Sequence, residues 1–265
     1  MAARVITVTS GKGGVGKTTA TANLAVALAS LGRHVVCIDA DIGLRNLDLI
    51  LGLENRIVHD IVDVVEGRCK LRQAMIRHKL VPDLWLIPAA QTRDKTAVSP
   101  TQMLEIVKEL RPDFHFVLID SPAGIERGFR NAIAPADEVL IVTNPEVSAV
   151  RDADRIIGMV EADQRKLPVR LIINRVKAEM VQRGEMLSPD DVIDILSVNL
   201  IGIVPEDDSV LIAGNQGTPD PNSRAGQAFR NIARRLMGEE VPFMRLDGTG
   251  NIFKRIARLF SGSSQ

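Results

Sequence analysis

The stretch Gly11-Lys12-Gly13-Gly14-Val15-Gly16-Lys17-Thr18 restricts this chain more than any other. It follows a short apolar run, Val5-Ile6-Thr7-Val8, and precedes apolar residues at helical spacing, Ala20, Leu24, Ala27, Leu28 and Leu31. Strand, glycine-rich loop and helix in that order predict a phosphate-binding loop of the G-x-x-x-x-G-K-[ST] kind. Glycine lets successive backbone N–H groups turn inward around phosphate oxygens, where a Cβ would clash or forbid the dihedrals. The helix that follows adds its positive N-terminal end, bringing Thr19 to the same anion. Lys17 is placed to neutralise β- and γ-phosphate charge, and the Thr18 hydroxyl to ligate Mg²⁺. A second cation, Lys12, sits among the same backbone groups.

The rest of the chain is organised around that loop. Strand and helix patterns alternate almost to the end of the 265 residues, and hydrophobic residues make up 45%. One large α/β domain, a mostly parallel twisted sheet with helices on both faces, accounts for both. The predicted boundaries are a nucleotide-binding domain over 1–238, a flexible connector over 239–250 containing Pro242, Gly248 and Gly250, and a tail over 251–265. Formal net charge is zero, which argues against a general nucleic-acid binder. Cys37 and Cys69 form no C-x-x-C pair and no signal peptide is evident, so a reducing cytosolic compartment is expected. No apolar run reaches the roughly 20 residues a membrane span needs.

Two predicted strands deliver carboxylates to the edge where ligands bind in open α/β sheets. His34-Val35-Val36-Cys37-Ile38 ends in Asp39-Ala40-Asp41, a pair able to hold Mg²⁺ or place a water. Phe114-His115-Phe116-Val117-Leu118-Ile119 ends in Asp120. Its near-continuous apolar run suits a buried parallel strand, and the acid suits a Mg²⁺ site beside the loop. Residues 55–80 read as helical and mixed, with Ile57, Ile61, Val64 and Val65 inward. Ser99 and Pro100 open a helix through Leu110 as N-cap and first residue. Glu138–Thr143, Arg170–Arg175 and Leu200–Pro205 are further strands, and 222–237 is a last amphipathic helix. Asn174 at a strand's carboxyl end has the chemistry to read a purine edge, and equally to cap a loop.

In the tail, Ile252, Phe253, Ile256, Leu259 and Phe260 form one stripe at helical spacing, with Lys254, Arg255 and Arg258 opposite. A basic amphipathic helix reads as a membrane-surface or partner-groove element; folding back on its own domain is the alternative. Half-burying five large apolar side chains in lipid gains roughly 4–7 kcal/mol. Three basic residues near anionic lipid add about 3 kcal/mol, while ordering about ten residues costs on the order of 10 kcal/mol. One tail is marginal; two held side by side gain avidity without new contacts.

The loop K-G-G-x-G-K-[ST] is the signature of the MinD/ParA deviant Walker A family, which the chain resembles over almost its whole length. The likeness is most specific at 10–18, 39–48 (D-A-D-I-G-L-R-N-L-D), 144–155 (N-P-E-V-S-A-V-R-D-A-D-R) and 251–260, and points to the MinD-like members. The resemblance implies a homodimer formed in ATP, with Lys12 crossing the interface to the partner's nucleotide. It gives Asp41 the attacking water, Asp39 and Asn46 supporting roles, and Asn174, Arg175, Pro205 and Asp207 the adenine. It also implies an ATPase positioned at an anionic membrane surface by its tail, with a MinE-like activator and a MinC-like division inhibitor as partners, and no nucleic acid. The location implied is cytoplasmic, peripheral on the inner face of the plasma membrane, with a plastid stroma and inner envelope as the alternative. A DNA-partition ATPase, a cluster-bridging redox protein and a non-enzymatic nucleotide-bound interaction protein are the rival classes. They differ by salt-sensitive DNA binding, by iron, and by absent phosphate release.

Overall fold

The computed structural model describes residues 2–94 and 97–244. Strand β1 (Arg4–Thr9) leads through the glycine loop into α1 (Lys17–Ser30), where Leu31 caps and Gly32, at φ 76°, turns the chain back. After β2 (Val35–Asp39) come three short helices, α2 (Leu47–Ile50), α3 (Ile61–Val65) and α4 (Leu71–Ala74), then β3 (Ile76–Arg77) and β4 (Leu84–Ile87). The pattern then alternates through α5 (Pro100–Leu110), β5 (Phe116–Asp120), α6 (Arg127–Ile133), β6 (Glu138–Thr143), α7 (Val147–Glu161) and β7 (Val169–Val176). It closes with α8 (Ala178–Gln182), α9 (Pro189–Leu196), β8 (Asn199–Pro205), α10 (Asp208–Gln216) and α11 (Arg224–Leu236).

The strands form one sheet in the order β3-β4-β2-β5-β1-β6-β7-β8, parallel throughout except for the antiparallel β3–β4 pair. Parallel neighbours need long crossovers, and helices supply them on both faces. Alternation along each strand divides the core between those faces. Ile6, Val8, Cys37, Leu118 and Leu140 pack toward α1 and α11. Val5, Val36, Ile38 and Val117 pack toward α3 and α5, and Val139, Ile141, Leu171 and Ile173 toward α7 and α9. The expected α5 cap is present: Ser99 accepts from the Gln102 amide, and the Gln102 side chain accepts from the Ser99 amide. In α11, the amphipathic helix expected over 222–237, Ala225, Ala228, Phe229, Ile232, Ala233 and Leu236 are all buried.

Two expectations are corrected. Residues 54–80, expected from 55 onward to be helical and mixed, hold a 3₁₀ turn (Glu54–Arg56), two short helices and also an edge strand. Ile61, Val62 and Ala74 are its fully buried residues, while Ile57, Val64 and Val65 are only partly covered. A two-residue strand is too short to show alternation. The second concerns residues 239–244, expected to belong to a flexible connector, which are held against the domain. Arg235 donates to the carbonyls of Val241 (2.9 Å) and Pro242 (2.8 Å), and to that of Ile201 on β8 (2.9 Å). Its guanidinium lies 4.1 Å from the Phe243 ring centroid, a cation–π contact. Phe243 packs against the α7–α9 core and Met244 against the α1–α11 core. Residues 239–244 therefore form a strap on the body of the domain. The predicted tail residues Ile252, Phe253, Lys254, Arg255, Ile256, Arg258, Leu259 and Phe260 lie outside the described residues.

Candidate nucleotide-binding site

The loop between β1 and α1 uses its glycines in different ways. Gly14 and Gly16 adopt φ 80° and 90°, the left-handed region that disfavours side chains. Gly11 is a close-approach position instead: a Cβ there would lie 2.2 Å from the carbonyl oxygen of Asp152 in α7. Gly13 meets nothing within 4 Å. The first turn of α1 has no capping side chain on Gly16, so its amides at Thr18 and Thr19 keep the orphan-donor character that suits an anion.

At the carboxyl ends of the central strands, register sets the chemistry. Val8 of β1 and Asp39 of β2 both pair with Asp120 of β5, which places the two acids side by side behind the loop. Lys17 Nζ donates to Asp120 Oδ1 at 2.8 Å, with both side chains buried. Thr21 Oγ1 donates to the same oxygen at 3.2 Å, and Lys17 Nζ also donates to Thr18 Oγ1 at 3.2 Å. Asp120 Oδ2 is buried without a hydrogen-bond partner. Asp39 Oδ1 accepts from the Asp41 amide (3.0 Å) and Oδ2 from the Leu47 amide (3.2 Å), so one carboxylate holds both ends of the loop between β2 and α2. Burial first, and the Asp120 charge second, push the Asp39 carboxyl up to about 7 against the pull of those two amides and Lys17. The same burial, with both acids, drives the Cys37 thiol far above its usual range, so it is inert as a nucleophile.

A hard cation fits this arrangement. Asp120 supplies an orphaned buried oxygen, Asp39 a second carboxylate and Thr18 a hydroxyl, an all-oxygen set of the kind Mg²⁺ takes together with water and phosphate oxygens. Among the described residues no group of three or more His, Cys, Asp or Glu side chains gathers as a metal site.

Asp41 is half-exposed on the loop after β2, and Asn46 is exposed at the start of α2, where its side chain makes no cap. Lys12 Nζ lies 3.2 Å from Glu146 Oε2 and 3.1 Å from Ser148 Oγ at the start of α7. Within the 144–155 segment, Arg155 and Asp152 approach at 3.9 Å. Asn174 Nδ2 donates to the Val15 carbonyl (2.8 Å) and Arg175 to the Gly14 carbonyl (3.1 Å), so both touch the loop itself. Pro205 ends β8, and Asp207 caps α10 by accepting from the Ser209 amide while also accepting from Ala225 in α11 (both 3.0 Å). Thr21 and the Gly11–Asp152 approach were not evident in the sequence, since neither has a local signal.

Comparison with known proteins agrees with this geometry. The family model described as the CobQ/CobB/MinD/ParA nucleotide binding domain matches residues 6–219. The septum site-determining protein MinD of Bacillus subtilis (strain 168) is 54% identical over 246 residues, covering 91% of this chain and 92% of that protein. The MinC:MinD cell division protein complex of Aquifex aeolicus superposes with a TM-score of 0.85 at 50% identity, covering 92% of this chain and 99% of that one. The septum site-determining protein MinD complexed with Mg-ADP from Pyrococcus horikoshii OT3 gives 0.79 at 32% identity, covering 88% and 96% respectively. With a glycine loop between β1 and α1, paired acids on β2 and β5, and relatives matched over nine-tenths of its length, this chain belongs to the CobQ/CobB/MinD/ParA nucleotide-binding family.

Proposed function

We propose that this protein is an ATPase that dimerises in ATP, associates with membrane through its tail and positions the division site. The observation that carries the reading is Lys17 buried against Asp120, with Asp39 alongside, at the carboxyl ends of adjacent strands behind the loop. The names of its relatives supply the biological setting: septum site determination, a MinC complex and a Mg-ADP complex. A MinC-like inhibitor is the cargo, and a MinE-like activator stimulates otherwise weak hydrolysis.

Backbone amides of residues 11–19 hold the polyphosphate, and Lys17 turns from Asp120 toward it. Thr18, Asp120 and Asp39 hold Mg²⁺, which when bound neutralises phosphate charge and polarises the phosphoryl group. Asp41 orients the attacking water, its backbone held by Asp39. Lys12 leaves Glu146 and Ser148 for the partner protomer's phosphates. Its present ion pair is about two-fifths exposed on Lys12, and such surface pairs are worth about 0–1 kcal/mol, so the exchange is cheap. Asn174, Arg175, Pro205 and Asp207 lie at the strand ends expected to border the base. No helix among the described residues is long and apolar enough to cross a membrane. In this reading the basic amphipathic stretch at 251–260 is the attachment, and the protein sits peripherally on the inner face of the plasma membrane.

The test is sedimentation with anionic vesicles in ATP and in ADP, using the full chain, a chain ending at Gly250, and Asp41→Ala. Only the full chain in ATP should pellet, and Asp41→Ala should pellet and stay bound while releasing no phosphate. Binding that ignores nucleotide or tail, or normal turnover by Asp41→Ala, sinks the cycle.

A further inference from the structure

One side chain inside α1 touches the buried acid Asp120 without having a part in the cycle above. Thr21 is fully buried one turn after Lys17, and its Oγ1 lies 3.0 Å from the Lys17 carbonyl oxygen and 3.2 Å from Asp120 Oδ1. A hydroxyl carries a single proton, so it serves one of these acceptors at a time. Neither depends on it in the present arrangement. The Lys17 carbonyl is the ordinary i−4 acceptor of the Thr21 amide within the helix. Asp120 Oδ1 already accepts from the Lys17 ammonium at 2.8 Å, a full opposite charge that a hydroxyl does not match. A buried hydroxyl that duplicates two satisfied contacts is a donor held in reserve.

The departure of Lys17 changes that balance. Once its ammonium turns to a phosphate, Asp120 Oδ1 loses its cation, and Oδ2 has no hydrogen-bond partner to begin with. The carboxylate is then a buried charge beside a second acid, Asp39, a situation that is costly unless hydrogen bonds remain. Thr21 is the donor within reach. We propose that Thr21 is a positioning residue for Asp120: as Lys17 turns away, its hydroxyl proton rotates from the Lys17 carbonyl to Asp120 Oδ1, which fixes the carboxylate and leaves Oδ2 free for a divalent cation. Rotation about the Cβ–Oγ bond moves the proton while the heavy atoms stay in place, so no other contact of α1 has to change. The same hydroxyl is idle while Lys17 is paired and needed when it is not.

The inference rests on the nucleotide-binding reading, and the experiment separates the two. Thr21→Val keeps the side chain's shape, branching and neutrality and removes only the donor, while Thr21→Ser keeps the donor. Each is made in the full chain with Lys17 present and with Lys17→Met, which retains the stem of the lysine without its charge. Urea unfolding is measured in chelator without nucleotide. With Lys17 present, Thr21→Val should barely move the folding constant. In the Lys17→Met background it should lower that constant about tenfold more, because there the hydroxyl is already holding Asp120. A purely structural Thr21 gives the same loss in both backgrounds, and that result overturns the proposal. With Lys17 present and Mg²⁺ added, Thr21→Val should weaken ADP binding about tenfold, and Thr21→Ser should restore it. Unaltered ADP affinity in Thr21→Val, or a Thr21→Ser that behaves like Thr21→Val, also overturns it. Thr21→Ala carries the same expectations should Thr21→Val not fold with Lys17 present. If the unaltered chain does not bind ADP, the nucleotide reading fails. The unfolding comparison then decides the Thr21–Asp120 pairing alone, and equal losses in the two backgrounds overturn it.

Discussion

Asp39 illustrates how one side chain serves structure and chemistry at a cost. It is buried, lies beside Asp120 and holds the amides of Asp41 and Leu47. Its carboxyl sits at about 7 in the folded chain against an ordinary 3.8. The folded state therefore holds this proton more tightly than the unfolded state does. The stability it contributes is complete below pH 4 and drains away as pH rises to about 7, each unit of displacement being worth about 1.4 kcal/mol. In chelator-containing, nucleotide-free buffer, Asp39→Asn should flatten that decline. Denaturant midpoints measured from pH 4 to pH 8 should show the difference between variant and unaltered chain growing in the variant's favour toward pH 7 and levelling above it. A constant difference would mean that Asp39 is ionised throughout. Adding Mg²⁺ and ATP should narrow the gap, because the carboxylate then gains a partner that the asparagine cannot match.

Between elements, the loop's glycines are not interchangeable. Gly11→Ala puts a methyl group into the backbone of α7 at Asp152. It should cost about 1–3 kcal/mol of stability and weaken nucleotide binding at least tenfold, as overpacking against rigid backbone does. Gly13→Ala, with nothing nearby and an ordinary φ, should leave the melting temperature within a degree or two. Equal melting curves for the two variants would refute the division. Such distinctions explain what was legible in advance. The strands bearing Asp39 and Asp120, the helix cap at Ser99, and the amphipathic pattern of α11 are written in local patterns, period two or 3.6 and a few capping residues. The phosphate loop was readable for the same reason. The approach of α7 to Gly11, the bulge at Asn174 and Arg175, and the two-residue β3 depend on partners far away in sequence. No window along the chain contains them. The strap at 239–244 does not stand out in the sequence because its leading glutamates and Pro242 suit a free connector, while Phe243 and Met244 find their packing, and the Val241 and Pro242 carbonyls their donor, on other elements.

Over the whole molecule, the sheet separates two jobs. The loop, the acids and Lys12 gather at the carboxyl ends of the strands. Arg235 grips Ile201 near the start of β8, and Leu236 accepts from Arg4 at the start of β1, so the chain leaves α11 at the amino ends. Removing the grip with Arg235→Ala should free residues 239–244 and lengthen the spacer before residue 251 from six residues to twelve. Effective concentration falls as the −3/2 power of tether length, so vesicle affinity in ATP should drop about threefold while hydrolysis without vesicles is unchanged. Unaltered vesicle affinity, with the 239–244 amides freely exchanging, would show that the strap does not set the tether. The spacing between the two ends has a further consequence. Seven residues of β8 at about 3.3 Å each put roughly 20 Å between the loop's side of the sheet and the end at which the chain leaves α11. In the proposed cycle, phosphates held at the loop would have no direct contact with that end. A tail there would register whether a second tail stands beside it, so the grip on a surface would be set by counting chains rather than by pulling on one.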